Sequence, residues 1–372
     1  MMKRQIISWC LYDFANSSYS AVIAAVVFPV YYTSVIVGNE SGLGDLWWGR
    51  AISLSMAVVA ITSPFLGGIA DIAGKRKSMM FLYTLLSVLS VCMFTLLQKG
   101  MYIEGFILIV LANIGMEGAL VFYNSYLPNI ARPDVQGRVS AWGFGLGYAG
   151  SISSLLIALW LIRQDSISAV WLATALFFAV FSIPAFLYLP SDARGTRTII
   201  RSSVEGLKTT LQTFKEILTK KDARRFLLAY LVYEDGINTV IVFSSIFAAT
   251  TLHFKTEELI VVYLVVQITA LIGSFVMAKP IDTWGAKKVV MTSLCLWVFV
   301  CILAFFVNTK ELFFVVATCA GLGLGTVQSA SRALFTRFIK DGKEAEYFGI
   351  YALVGKTSAI IGPLIFGSVS SI

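Results

Sequence analysis

The chain has 372 residues, of which 58% are hydrophobic and only 13% charged, with a mean hydropathy of +0.81. A soluble domain carries roughly one-quarter charged residues, so a water-soluble globular protein is excluded and a polytopic membrane protein is indicated. The single histidine and five dispersed cysteines give neither metal-ligand spacing nor a disulfide framework, so no metal site and no cofactor are expected.

Apolar runs long enough to cross a hydrocarbon core of about 30 Å number eleven, at about 9–37, 47–70, 78–98, 102–126, 139–162, 167–189, 225–252, 258–279, 287–307, 311–334 and 346–370. The first opens with WCLYDFANSSYS and is too long and too polar at its start to be a cleavable signal peptide. Its Asp13, Asn16, Ser17 and Ser20 fall at i, i+3, i+4 and i+7, on one face of a helix. Between the second and third runs stands GGIADIAGKRK, with Gly67, Asp71, Gly74, Lys75, Arg76 and Lys77 in a short charged turn. The fourth run carries Glu117, Tyr123 and Asn124.

In the fifth run, GLGYAG matches a dinucleotide fingerprint in letters only, since no strand precedes it. Gly143, Gly145, Gly147 and Gly150 read instead as a smooth face for close helix packing, as do Gly321, Gly323 and Gly325 in the tenth run. The connection 190–224 is the one long polar segment. Ile200, Val204, Leu207, Leu211, Phe214 and Leu218 recur there at steps of three and four, which predicts an amphipathic interfacial helix tethering two bundles. Glu234, Asp235, Asn238 and Thr239 share a face of the seventh run, and Lys356 lies inside the eleventh.

If each run crosses once, most of the 29 Lys and Arg residues fall on one side, including the stretch from Arg332 to Lys343. That asymmetry places the N-terminus in the cytoplasm, in a cell membrane, and accounts for the net charge of +8 without a nucleic-acid partner. The halves also echo each other. The turn at 67–77 has a weaker copy, AKPIDTWGAKK, with Asp282 and Gly285, and Asp13-x-x-Asn16 is matched by Asp235-x-x-Asn238. The expected organisation is a bundle over 1–189, a linker over 190–224 and a second bundle over 225–372, all-α, with a twelfth span expected beyond Ile372.

The turn from Gly67 to Lys77 resembles the signature loop of the major facilitator superfamily. Within it LYDFANSSYS, VFYNSYLPNIA, GRVSAWGFGLGYAGS and SRALFTRFIKDGKEAEYFGIYALVGKTSAIIGP resemble the unknown-major-facilitator group, which includes the vacuolar amino-acid effluxers of fungal autophagy. The resemblance implies two pseudo-symmetric six-helix bundles around a cavity lined by the first, fourth and seventh spans. It also implies that the acid of the signature loop faces the start of a helix in the other half, while the basic residues pair across the seam.

Charged groups cost about 2.5–3.5 kcal/mol each at the centre of a membrane helix, so those within spans need partners or a cavity. Asp13, Asn16, Glu117, Tyr123, Asn124, Glu234, Asp235, Asn238 and Lys356 are therefore the expected substrate and ion-coupling residues. Lys356 is expected to pair with one of Asp13, Glu117, Glu234 or Asp235. The chain reads as a monomeric secondary transporter, not an enzyme, with a small-molecule substrate and coupling to protons, sodium being the alternative ion. Proton-coupled efflux of an amino acid by alternating access, implied by the resemblance, suits a cavity of acids and one lysine. Sugars, peptides or lipids on the same fold, or a non-transporting scaffold or sensor, are the other readings.

Overall fold

The structure, a computed structural model, describes residues 2–38, 42–192 and 199–370. Inside lipid, each backbone polar group must be satisfied within its own segment, and the apolar runs accordingly form helices. These are α1 (Lys3–Val37), α2 (Leu43–Ala73), α3 (Arg76–Leu96), α4 (Tyr102–Ile130), α5 (Gln136–Ile162) and α6 (Ile167–Tyr188). The amphipathic α7 (Ile199–Thr219) follows. The second half holds α8 (Lys221–Thr250), α9 (Glu257–Thr283), α10 (Ala286–Phe305), α11 (Lys310–Phe338) and α12 (Glu344–Ser370). Among the described residues ten of these helices are long and apolar enough to cross a membrane. The eleventh apolar run forms α12. Pro29 removes a backbone donor from α1, which continues in wider turns over Tyr19–Val26 and Tyr31–Val37.

Two bundles meet along a seam where α2 packs on α12 and α5 packs on α9. Small residues permit the approach. A Cβ on Gly67 would collide with the Ala345 carbonyl, and one on Gly145 with the Phe275 ring. Away from the seam, Leu82, Leu89, Leu172, Leu176 and Ile302 are exposed on the outer surface, as helices facing lipid require.

On the face that carries the N-terminus, hereafter the basic face, each half caps a helix of the other. Asp71 accepts from the backbone N–H groups of Ala345 (3.2 Å) and Glu346 (2.9 Å), in the first turn of α12. Its echo Asp282 accepts from the N–H of Arg138 at 3.1 and 3.2 Å, in the first turn of α5. A carboxylate at a helix start satisfies orphan donors and complements the macrodipole. Gly74 and Gly285, at φ 62° and 95°, end the preceding helices in a conformation that L side chains rarely adopt.

Only part of the basic run crosses the seam. Arg76 reaches Glu344 (3.4 Å) as well as Asp192 (2.8 Å), whereas Lys77 stays in its own half on the Leu189 carbonyl and Lys75 is exposed.

The start of the connection, 193–198, lies outside the described residues, as do the side chains of Ile200 and Val204. From Glu205 onward, α7 is more than a tether. Its small face packs inward: Gly206 sits on Ile69, and Thr210 donates to the Pro64 carbonyl at 3.2 Å. Lys343 donates to Thr213 at 2.7 Å and Lys340 to Glu216. The Lys340 hydrogen bond holds the Glu216 carboxyl below its ordinary range. Leu207, Leu211, Phe214 and Leu218 form the uncovered stripe on the outer side.

Replacing Asp71 by Ala removes two hydrogen bonds to a charged acceptor, worth about 1.5–3 kcal/mol each. Amide exchange at Ala345 and Glu346 should then rise by at least about tenfold while exchange in α4 is unchanged; equal exchange in parent and variant would deny the latch.

Candidate functional site

Between the bundles lies a cavity of about 380 Å³, lined by α2, α4, α5, α8, α11 and α12. Its polar groups are Glu117 and Asn124 from one half, and Glu234, Asn238, Gln328, Arg332 and Lys356 from the other. Lys356 pairs with Glu117 at 2.5 Å across the seam. Lys356 is twelve residues beyond the start of α12, roughly 18 Å along the helix at 1.5 Å per residue, so the pair is near mid-membrane. Glu234, 8% exposed, accepts from the Gln328 amide at 2.8 Å. Tyr230 and Tyr351, stacked with ring centres 4.3 Å apart, add aromatic wall.

Four acids were open as partners of Lys356; the structure joins it to Glu117. The other expected residues divide into two groups. Asp13, Asn16 and Tyr123 are buried behind the cavity rather than in its lining. Asp235 is not in the lining either, and its buried Oδ1 has no hydrogen-bond partner. Helical spacing explains the split, because adjacent residues diverge by about 100°: Glu234 and Asn238 face the cavity, and Asp235 is turned away from them.

Arg332 corrects the charge reading. It was counted with the basic loop, but it belongs to α11 and its side chain is 3% exposed. Its guanidinium enters a socket built by the other half. Nη1 donates to Asp13 Oδ2 (3.3 Å) and Asn124 Oδ1 (3.1 Å), Nη2 to Asp13 Oδ2 (3.4 Å) and the Ser140 carbonyl (2.8 Å), and Nε to Ser140 Oγ (3.0 Å). All five N–H donors of an arginine are thereby used.

The ring centres of Phe144 and Trp9 lie 4.0 and 4.6 Å from the guanidinium carbon, within cation–π range. Tyr123 donates to the same Asp13 oxygen at 2.9 Å, and Asn16 lies 3.5 Å from the other. A side chain on Gly143 would meet Trp9 and the Arg332 Nη2, so glycine leaves the socket open. Two sequence signals pointed here: Arg332 falls within the tenth apolar run, and Asp13 required a counter-charge.

The comparisons agree with this architecture. Residues 50–371 match the family model described as vacuole effluxer Atg22 like. The chain belongs to the Atg22-like family. The MFS-type transporter YxiO of Bacillus subtilis is 30% identical over 98% of this chain and 89% of its own length. Autophagy-related protein 22 of Saccharomyces cerevisiae is 25% identical over 91% of this chain and 70% of its own. Among solved structures, the human organic anion transporter MFSD10 superposes with a TM-score of 0.80 at 13% identity, covering 99% of this chain and 93% of that one. The proton:xylose symporter XylE gives 0.70 at 14%, covering 100% and 89%. This Atg22-like chain is thus an integral membrane protein with the major facilitator fold, of a transporter family.

Breaking one partner of a buried ion pair strands a charge at a cost of about 3–5 kcal/mol. Lys356→Met should therefore lower the melting temperature in detergent, and adding Glu117→Gln should restore it. Equal melting of the parent and the single variant would show that the pair contributes nothing.

Proposed function

We propose that this Atg22-like chain is a secondary transporter that moves an amino acid through the central cavity by alternating access, coupled to protons. The observation that carries the reading is the Glu117–Lys356 pair, which joins the two halves inside the cavity beside Glu234 and Arg332. A zwitterion presents an ammonium group for an acid and a carboxylate for a base, and the lining offers Glu117 and Glu234 for the first and Lys356 and Arg332 for the second. Sugar recognition is less well served, because the described lining contains no tryptophan. Among the lining residues, the carboxylates Glu117 and Glu234 are the groups able to carry a proton. The basic face is assigned to the cytoplasm of a cell membrane from the Lys and Arg distribution. Since one chain encloses the cavity, a monomer suffices. The bundles are taken as 1–189 and 225–372, with 190–224 as linker.

Proteoliposomes holding the full chain should accumulate at least one labelled L-amino acid when a pH gradient is imposed, and lose the signal with a protonophore. A parallel sodium gradient tests the other ion. Glu117→Gln should cut gradient-driven uptake by more than about tenfold, equivalent to roughly 1.4 kcal/mol. Accumulation of a sugar instead, or of no amino acid, would overturn the reading.

A further inference from the structure

The Arg332 socket lies between the cavity and the basic face, and Arg332 itself belongs to both. Its guanidinium lines the cavity while donating to Asp13, Asn124 and Ser140 of the other half. The two halves cannot part on this face unless the guanidinium leaves. Its grip on Asp13 is geometrically poor: both Nη atoms share one oxygen, at 3.3 and 3.4 Å, where a strong pair would be forked and shorter. The charge is therefore held by the socket as a whole.

We propose that Arg332 alternates between two anions: the Asp13 carboxylate, which locks the basic face, and a substrate carboxylate in the cavity, which unlocks it while Asp13 takes up a proton. The step balances. A proton arriving as hydronium from the side opposite the basic face adds to an Asp13 oxygen and leaves water behind, so the socket loses its negative charge as the positive charge leaves. The guanidinium then finds its counter-charge on the substrate. When the substrate departs through the opened basic face, Asp13 returns its proton there and recaptures Arg332. Proton and carboxylate are thus bound together and released together, which makes the cycle a symport toward the basic face.

The groups facing Asp13 are few. Arg332 approaches from α11, Tyr123 from α4 and Tyr148 from α5, with Cys10 and Tyr12 on α1 itself. The helix α6, also packed on α1, carries no Asp, Glu, Lys, Arg or His. Arg332 is the one cation among these groups, so the carboxylate has no other counter-charge among them. The inference rests on the transport reading above.

Nitroxides at Asp134→Cys and Asp341→Cys, exposed on the basic loops of the two halves, report the opening. The full chain, with its five native cysteines changed to alanine, is placed in lipid nanodiscs. Electron-spin distances should be short at pH about 8 and shift to a longer population at pH about 5, if proton uptake in the socket opens the lock. Asp13→Asn should be long at both pH values. If that variant does not fold, Asp13→Asn combined with Arg332→Gln leaves a neutral socket and should also be long and pH-independent. Short distances at both pH values in the parent and a folded variant would overturn the lock. At the higher pH, L-alanine should lengthen the distance and its methyl ester should not; equal effects, or none, would overturn the carboxylate exchange. A pH-blind distance with amino-acid accumulation intact would sink the lock alone. An intact pH response with no accumulation would sink the transport reading alone.

Discussion

A charge inside hydrocarbon needs a partner, and for Lys356 and Arg332 the partner comes from the opposite half. Lys356 of α12 meets Glu117 of α4, and Arg332 of α11 meets Asp13 of α1. Each pair therefore does two things at once. It makes a buried ion tolerable, and it ties the bundles together for as long as it remains formed. Motion between the bundles must exchange those partners for others, because a stranded buried charge costs several kcal/mol. In the proposed transport cycle, solute binding and bundle movement are linked through this single requirement.

The basic face adds a second layer of closure that uses backbone rather than side-chain pairs. Asp71 and Asp282 each sit at the start of a helix in the other half, on α12 and α5 respectively. The repeated sequence thus becomes a repeated contact, one per half. The two are unequal in their surroundings: Asp71 is joined by Arg76, which spans to Glu344, while Asp282 has Arg138 at 3.6 Å. Over the first of them runs α7, whose Thr210 and Thr213 face the protein and whose leucines are left uncovered. A helix so placed links α2 to the α11–α12 loop, on both sides of the seam.

Membrane character, the helical spans, the duplicated signature turn and the resemblance to the major facilitator fold were legible in the sequence. Run length, charge asymmetry and short-range motifs are local properties of the chain. The loop glycines were legible for the same reason: Gly74 and Gly285 occupy turns whose backbone geometry is set within a few residues. The buried charges other than Arg332 also followed from hydropathy. The order of spans, however, says nothing about which rotation each helix adopts about its own axis.

That rotation separated the neighbours Glu234 and Asp235, sending one to the cavity and the other away from it. It also moved Arg332 from the account of surface charge to the centre of the seam. The aspartate of the opening stretch received its partner from a residue more than three hundred positions away in the chain, a distance over which no periodicity or motif operates. By itself the sequence determined that Asp13, Glu117, Glu234, Asp235 and Lys356 lie in the membrane, because transfer cost depends on the residue and its segment. Which charges meet was decided only by tertiary structure, because a Coulomb interaction depends on the separation of two groups that packing alone brings together.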